Sequence, residues 1–324
     1  MRRAGAISND VVIQEIAEDL LRKGRSATAS ALGAFFMVAA EQATTLFSPL
    51  ILLVAGTGRG VKVFDGRVRQ PGLGRKRPRG FLPAEAIPEA SRVGVPMSIA
   101  AAGVAMAFDG SVGLSQVVRP AATRARELGF PARAQVMEGI ATLGPRAVSD
   151  TLISQSFLRS AGPSVGGLIT PSDLRQIPPT AFSAQTFEAS EGMWSHPLAE
   201  AAGFPLDAKG REHAAARLGA PKILLTADPE GVLACVCFFQ GTAGIPLEGL
   251  DLSVPALALP VERGVARVPA GAALYSPAPL AVLTNPQGAY TSCVGLVDVD
   301  TPTPVTVGAA RLRLRREPAT LAVY

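Results

Sequence analysis

Three cysteines and two histidines are the side chains best suited to metal binding or nucleophilic chemistry in this chain. Cys235 and Cys237 are two residues apart on a predicted strand, so their side chains point to the same face. Cys293 is far along the chain, and neither His196 nor His213 is near a cysteine in sequence. A structural zinc site needs four ligands at characteristic spacings, so we predict no metal site. We interpret the thiols as buried and inert, and the histidines as structural.

Basic side chains gather in two clusters, in a chain whose formal net charge is +5. No aromatic residues interleave with either cluster, so the stacking surface that nucleic-acid bases need is missing, and we do not predict nucleic-acid binding. A solvated surface is the favoured interpretation, and a site for an anion or an acidic partner is the alternative. The first cluster lies in a loop rich in glycine and proline and consists of Arg67, Arg69, Arg75, Lys76, Arg77 and Arg79. The second alternates with leucines, as in a half-buried strand, and consists of Arg311, Arg313, Arg315 and Arg316.

The composition predicts a globular protein with a mainly aliphatic core. Hydrophobic residues make up 48% of the 324 residues, whereas aromatic residues make up only 5%. The longest apolar runs fall short of the roughly 18 residues that a membrane-spanning helix requires, so no membrane span is predicted. Arg2 and Arg3 are not followed by an apolar export segment. We therefore expect a cytoplasmic protein, and we predict no cofactor.

Helical periodicity dominates the first two-thirds of the chain, and strand patterns dominate the last third. The predicted helices cover 10–23, with Asn9 as its cap, then 26–40, 98–108, 115–128, 134–141 and 149–159. The predicted strands cover 50–55 and 60–64, followed by a hairpin at 220–241 around the turn Asp228-Pro-Glu-Gly231. Residues 178–205 carry few periodic signals. The order of elements is typical of an α+β fold.

Several short segments, in one order over about residues 10 to 290, resemble the γ-glutamyltranspeptidase family. They are Ala17-Glu-Asp-Leu-Leu-Arg-Lys-Gly24, Phe64-Asp-Gly-Arg67, Gly94-Val-Pro96, Pro120-Ala121 with Ala125, Gly129 and Phe130, Gly166-Gly-Leu-Ile-Thr170-Pro-Ser-Asp173, Asp228-Pro-Glu-Gly231 and Tyr275-Ser276-Pro. No single segment is specific to the family, and their common order carries the resemblance.

The resemblance implies an Ntn-hydrolase fold, which is a four-layer αββα sandwich of two sheets between helical layers. It implies one domain over 1–324, with 1–177 similar to the family's large subunit, 178–219 a linker region and 220–324 similar to a shortened small subunit. Members of the family cleave their own chain, and the new N-terminal threonine is both the nucleophile and, through its amine, the base. An arginine holds the carboxylate of the γ-glutamyl group.

The chemistry that the resemblance implies is only partly present in this sequence. Arg67 matches the carboxylate-binding arginine, and Ser276 and Gly288 match members of the paired serines and the paired glycines of the oxyanion hole, so we predict these three as ligand-binding residues. The position of the nucleophile holds Pro221, so we predict no catalytic residue. Further departures are Phe239, Gly241, Tyr275 and Gln287, and the ligand segment has become a mostly apolar run at 252–259.

These departures predict an unprocessed, non-catalytic relative of the γ-glutamyltranspeptidases. We expect a structural or regulatory subunit that pairs with another protein or with copies of itself, since exposed sheet edges and apolar faces need covering. One alternative is a binding module for a γ-glutamyl or other carboxylate ligand, using Arg67, Ser276 and Gly288. The other is a γ-glutamyl transferase or hydrolase with a rewired site.

Overall fold

A computed structural model describes the protein over most of its length. The described residues are 4–56, 60–76, 83–149, 152–178, 180–189, 192–197, 217–241, 244–261, 267–276, 278–284, 290–295, 310–313 and 320–323.

The helices lie mostly in the first half of the chain, as the periodicity predicts. They are α1 (Val11–Arg22), α2 (Ala27–Glu41), α3 (Ser98–Asp109), α4 (Leu114–Glu127), α5 (Pro131–Leu143), α6 (Leu152–Ala161) and α7 (Pro171–Arg175), with short 3-10 helices at Ala84–Ala86, Glu89–Arg92, Gly144–Val148 and Pro163–Val165. The apolar helix α2 is buried along nearly its whole length.

The first sheet contains six antiparallel strands. They are β1 (Gly5–Ser8), β2 (Leu50–Gly56), β3 (Gly60–Gly66), β4 (Ala181–Ser183), β7 (Pro221–Ala227) and β8 (Leu233–Phe239). Their order in the sheet is β1-β7-β8-β2-β3-β4. The predicted pair β2 and β3 and the predicted hairpin β7 and β8 are all in this sheet, and the hairpin borders directly on β2.

A second antiparallel sheet of six strands has the order β14-β13-β12-β11-β6-β5, and β9 and β10 form a separate pair. The segment 178–219, predicted as a linker region, supplies β4 to the first sheet and the hairpin of β5 and β6 to the second. The strands are β5 (Gln185–Ala189), β6 (Gly192–His196), β9 (Ile245–Leu247), β10 (Leu252–Val254), β11 (Leu280–Thr284), β12 (Tyr290–Gly295), β13 (Ala310–Arg313) and β14 (Thr320–Val323).

Two apolar layers hold these elements together, one on each face of the first sheet. Alternate residues of β8 separate the layers: Val236 and Phe238 face the helices, whereas Cys237 and Phe239 face the second sheet. Helices, first sheet and second sheet therefore stack in this order. Of the predicted αββα sandwich, the described residues include the first helical layer and both sheets.

The ends of several elements follow from local capping. The Asp10 carboxylate caps α1 by accepting hydrogen bonds from the amides of Val12 and Ile13, so the prediction of Asn9 as the cap was wrong. Asn9 instead binds strand β7, which is described below. At α7, Thr170 and Asp173 form a capping box. Within the described residues, no helix is long and apolar enough to span a membrane.

Candidate functional site

The first residue of β7 is Pro221, at the position where the resemblance places the nucleophile. The Asn9 side chain fastens this strand end, donating to the carbonyl of Pro221 at 2.9 Å and accepting from the amide of Ile223 at 2.9 Å. Lys222 forms an ion pair with Asp10 at 2.8 Å. The start of β7 is thus tied to the segment before α1 by the side chains of Asn9, Asp10 and Lys222.

The hairpin turn that follows β7 is fixed by the buried carboxylate of Asp228. One of its oxygens accepts hydrogen bonds from the amides of Glu230 and Val232, and the other accepts from the amide of Ala27 at the start of α2. Gly231 has φ +93°, a conformation that favours glycine. The Asp-Pro-Glu-Gly motif therefore has an architectural role, because it joins the first sheet to the buried helix.

Thr226 carries the hydroxyl nearest to the missing nucleophile in β7, and it is fully buried. Its Oγ1 lies 2.9 Å from the carbonyl oxygen of Ala27 and 3.1 Å from that of Ala234. A fully buried hydroxyl held by carbonyl oxygens is not accessible to a substrate, so this geometry does not favour Thr226 as a substitute nucleophile.

Arg67 directly follows β3, at the same end of the first sheet as Pro221. The register places Pro221 opposite Phe239, and Leu50 opposite both Phe238 and Gly66. Three strand spacings separate β7 from β3, so the two positions are about 14 Å apart. A Cβ atom on Gly66 would lie 2.6 Å from the Leu50 carbonyl oxygen, so glycine permits the close packing that sets the backbone before Arg67.

The Arg67 guanidinium is paired with a carboxylate of its own chain. Its Nε and Nη2 each donate to one oxygen of Asp65 at 2.9 Å, and both side chains are only 4% exposed. This bidentate pair is the arrangement that a bound carboxylate ligand would make with a free arginine. Asp65 therefore occupies the donors that the resemblance assigns to a γ-glutamyl carboxylate.

The Arg67 cavity, as we name the space lined by Asp65, Arg67, Ser276 and neighbouring apolar side chains, has a volume of about 10 Å³. That is enough for one water molecule and not for an amino acid. The Ser276 hydroxyl is buried there without a hydrogen-bond partner among the described residues. The structure thus brings Arg67 and Ser276 together, whereas Gly288 lies outside the described residues. Their role in ligand binding stays a prediction.

The return strand has apolar packing where the family pattern has polar ligands. Phe239 is completely buried in the layer between the sheets. Gly241 has φ +65°, and a Cβ atom there would lie 2.9 Å from the Thr44 side chain. Both positions are therefore filled or closed by packing.

The cysteines and histidines occupy positions without metal-site geometry. Cys235 and Cys237 are fully buried, as predicted, and burial raises the pKa of the Cys237 thiol, which keeps it protonated and unreactive. The His196 Nδ1 atom lies 2.8 Å from the carbonyl oxygen of Pro197. His213 and the side chain of Cys293 lie outside the described residues. Among the residues that are described, no cluster of potential metal ligands occurs.

A second and larger cavity, which we name the Arg69 cavity, was not predicted from the sequence. Its volume is about 350 Å³. The sequence placed Arg69 only within a basic loop, and no spacing signal distinguished it from its neighbours. Its lining residues come from four separate segments of the chain: Arg69, Gln70, Leu73, Val95, Met97, Asp173, Gln176, Ile177, Pro178 and Gly271.

The apolar run at 252–259 does not form an exposed surface. Leu252, Val254, Leu257 and Ala258 are all buried, and β10 pairs with β9. Its apolar composition is explained by the core of the chain itself, so the run gives no support for a partner surface.

Comparison with solved structures identifies the fold. The structure of LmbA2991T421A aligns with a TM-score of 0.69 and 13% identity, covering 93% of this chain and 79% of that chain. A cephalosporin acylase from Bacillus halodurans aligns with a TM-score of 0.61 and 11% identity, covering 90% of this chain and 77% of that chain. A γ-glutamyltranspeptidase from Pseudomonas nitroreducens gives a TM-score of 0.49 and 15% identity over 61% of this chain and 71% of its own.

The first two of these neighbours confirm the predicted fold: the chain has the mixed helix and sheet architecture of the Ntn hydrolases. No protein-family model matches the sequence, and a search of curated proteins finds no significant match. At these identities the likeness concerns the fold alone.

Proposed function

From an Ntn-hydrolase fold whose hairpin begins with proline, we propose a protein that is neither self-processed nor catalytic and that acts as a structural or regulatory subunit of a complex. The observation that carries the proposal is Pro221 at the first position of β7. Self-cleavage and acyl transfer in this fold start from a side-chain hydroxyl or thiol, and proline has neither.

The small Arg67 cavity supports the same proposal. A γ-glutamyl substrate would have to displace Asp65 from a buried bidentate pair and enter a space of about 10 Å³. Displacement would leave the Asp65 charge buried and less well paired, which is costly. The loss of the nucleophile and the loss of the ligand space therefore point in the same direction.

The architecture was retained while these groups were lost. Asp228 still joins the hairpin to α2, and Gly66 still lets β3 pack closely against α3. A fold kept without its chemistry favours a role in which the surface matters. Strand β5, which has exposed side chains at Gln185 and Glu188, is at the edge of the second sheet, and such an edge can pair with a strand of another protein.

The proposal is tested by assaying purified protein with a chromogenic γ-glutamyl amide. We expect no turnover above that of a heat-denatured sample, even at high protein concentration. The matched variant is Pro221→Thr, which restores a hydroxyl at one position only. We expect it to be inactive too, because Arg67 stays paired with Asp65 and its cavity stays too small for an amino acid. Turnover by the natural chain would contradict the absence of catalysis, and turnover by the variant alone would contradict the assignment of Arg67 as an occupied site.

The subunit role needs its own experiment. Tagged protein purified from its native cells, washed at high salt and analysed by native mass spectrometry is expected to carry one partner at a fixed stoichiometry, or a second copy of itself. A monomer under all conditions, at cellular concentration, would argue against the subunit role and leave the first part of the proposal standing.

A further inference from the structure

The Arg69 cavity has the size and the lining of a small-molecule site. Its volume of about 350 Å³ falls within the range of about 300–1,000 Å³ that is typical of ligand pockets. Apolar side chains of Leu73, Val95, Met97 and Ile177 make up much of its wall. Such a wall favours a ligand with an apolar body.

Arg69 is the charged group in this wall that lacks full pairing. Its Nη2 reaches Asp65 at 3.3 Å, a longer contact than either bond from Arg67. Its Nε is buried without a hydrogen-bond partner among the described residues, and the side chain as a whole is only 13% exposed. The guanidinium is thus a buried donor group that its own chain satisfies incompletely.

The carboxylate that pairs with Arg69 is already held by another arginine. The guanidinium groups of Arg67 and Arg69 share the carboxylate of Asp65, and Arg67 makes the shorter contact. Burial and the charge of Arg67 lower the pKa of Arg69, whereas Asp65 raises it, and arginine stays protonated at neutral pH. A buried cation of this kind is stabilised by an anion placed beside it.

Asp173 limits how much negative charge a ligand can carry. Its carboxylate lines the cavity, and its oxygens already accept hydrogen bonds from the amides of Gly72, Leu73 and Thr170 and from the Thr170 hydroxyl. It therefore has no role as a free acceptor, but its charge repels a second negative charge nearby. A ligand with one negative charge therefore fits a wall that holds both Arg69 and Asp173 better than a dianion does.

The backbone around the site is held in place before any ligand arrives. Arg69 and Val95 exchange two backbone hydrogen bonds of 2.9 Å, and Gln70 binds Leu259 through both ends of its side-chain amide. A rigid wall lowers the entropic cost of binding.

We propose that the Arg69 cavity binds a small organic monocarboxylate, with the carboxylate at the Arg69 guanidinium and an aliphatic or aromatic body against Leu73, Val95 and Met97. This site is separate from the Arg67 cavity, and its occupation does not depend on whether the chain is catalytic.

Calorimetric titration of the full chain with hexanoate, hexanamide and inorganic phosphate tests the proposal. We expect one hexanoate to bind per chain. The neutral amide should bind at least about tenfold more weakly than hexanoate, because the guanidinium then lacks a charged acceptor. Phosphate, which is doubly charged in part at neutral pH and has no apolar body, is expected not to compete. Absence of hexanoate binding at millimolar concentration, equal binding of the amide, or competition by phosphate would each overturn the proposal.

Variants locate the site. Arg69→Gln is expected to weaken hexanoate binding about tenfold or more, whereas Arg175→Gln, which removes the same charge from an exposed position on α7, should leave it nearly unchanged. Should Arg69→Gln fail to fold, the exposed rim residue Ile177 offers a second test. Ile177→Glu should weaken binding by repulsion, and Ile177→Gln should not. Undiminished binding in Arg69→Gln or in Ile177→Glu, or a loss caused instead by Ser276→Ala in the Arg67 cavity, would contradict the assignment.

Discussion

The Arg67 cavity and the Arg69 cavity both border on the short segment 65–69, yet they differ in how their arginines are paired. Arg67 takes both oxygens of Asp65 at 2.9 Å in a space of about 10 Å³, whereas Arg69 reaches the same carboxylate once, at 3.3 Å, and borders on about 350 Å³. An arginine at a position that is expected to bind carboxylates is therefore not always free to bind a ligand. Its availability depends on which carboxylate of the chain already holds it.

The largest expected effect comes from removing the tightly paired arginine. Arg67→Ala leaves the buried Asp65 carboxylate with the backbone amide of residue 67 and the weaker contact to Arg69. Breaking a buried pair in this way costs about 3–5 kcal/mol of unfolding free energy. Arg69→Gln is expected to cost about 1 kcal/mol, because Asp65 keeps its bidentate partner. Urea unfolding of both variants measures the difference. Equal losses, or a larger loss for Arg69→Gln, would show that the two arginines are not paired as described.

A smaller loss is expected at the hairpin turn beside the missing nucleophile. Asp228→Ala removes the acceptor of the amides of Ala27, Glu230 and Val232, and we expect a loss of about 2 kcal/mol of unfolding free energy. The exposed Glu230→Ala, in the same turn, is the control and should change stability little. An unchanged unfolding free energy in Asp228→Ala would contradict the architectural role of the Asp-Pro-Glu-Gly motif.

The ion pair at the start of β7 gives a pH-dependent effect. Burial raises the pKa of Asp10, but hydrogen bonds from Lys222 and from the amides of Ile13 and Val12, together with the Lys222 charge, outweigh it, so the pKa is lowered from its ordinary value of 3.8. A lowered pKa in the folded state stabilises the fold above the unfolded-state pKa, and this contribution is lost as the pH falls through the folded-state value.

We therefore expect Lys222→Met to cost about 0.5–1 kcal/mol at neutral pH. The difference between the two proteins should shrink as the pH falls below about 3.9, the unfolded-state pKa of aspartate. Urea unfolding measured between about pH 3 and pH 7, a range that brackets this pKa, follows the change. A difference that stays constant down to the lowest pH would mean that the pair contributes by packing rather than by charge.

The smallest effect is expected at Ser276. Its buried hydroxyl has no hydrogen-bond partner among the described residues, so Ser276→Ala should leave the unfolding free energy unchanged or raise it by up to about 1 kcal/mol. The comparison is Thr226→Val, which removes a hydroxyl placed beside two carbonyl oxygens and should lower stability. A clear loss for Ser276→Ala would indicate that water or a ligand satisfies this hydroxyl in solution.

Much of the fold could be predicted from periodicity and capping. The spacing of apolar residues located α1 and α2, and the alternation around Asp228-Pro-Glu-Gly231 located β7 and β8. Strands β4, β5 and β6 could not be predicted, because their residues lack an alternating pattern. Pairing with distant strands holds β4 and β6, and β5 pairs with β6. Asn9 was mistaken for a helix cap because it precedes another capping residue, and only the fold shows that it binds β7.

The candidate sites were harder to predict, since they depend on how charges are shared in three dimensions. The sequence marks Arg67 through its resemblance to a family motif. It does not show that the Asp65 side chain, two residues earlier, pairs with Arg67. The Arg69 cavity is built from segments that meet only in the folded chain. No local pattern could therefore distinguish Arg69 from the other arginines of the basic loop.

The intact mass of the purified natural chain tests the central claim most directly. An Ntn fold without a hydroxyl or thiol at the start of β7 is predicted to remain a single uncleaved species of 33.4 kDa after prolonged incubation at neutral pH. Two fragments divided next to Pro221 would contradict the claim that this chain keeps the architecture without the self-cleaving chemistry.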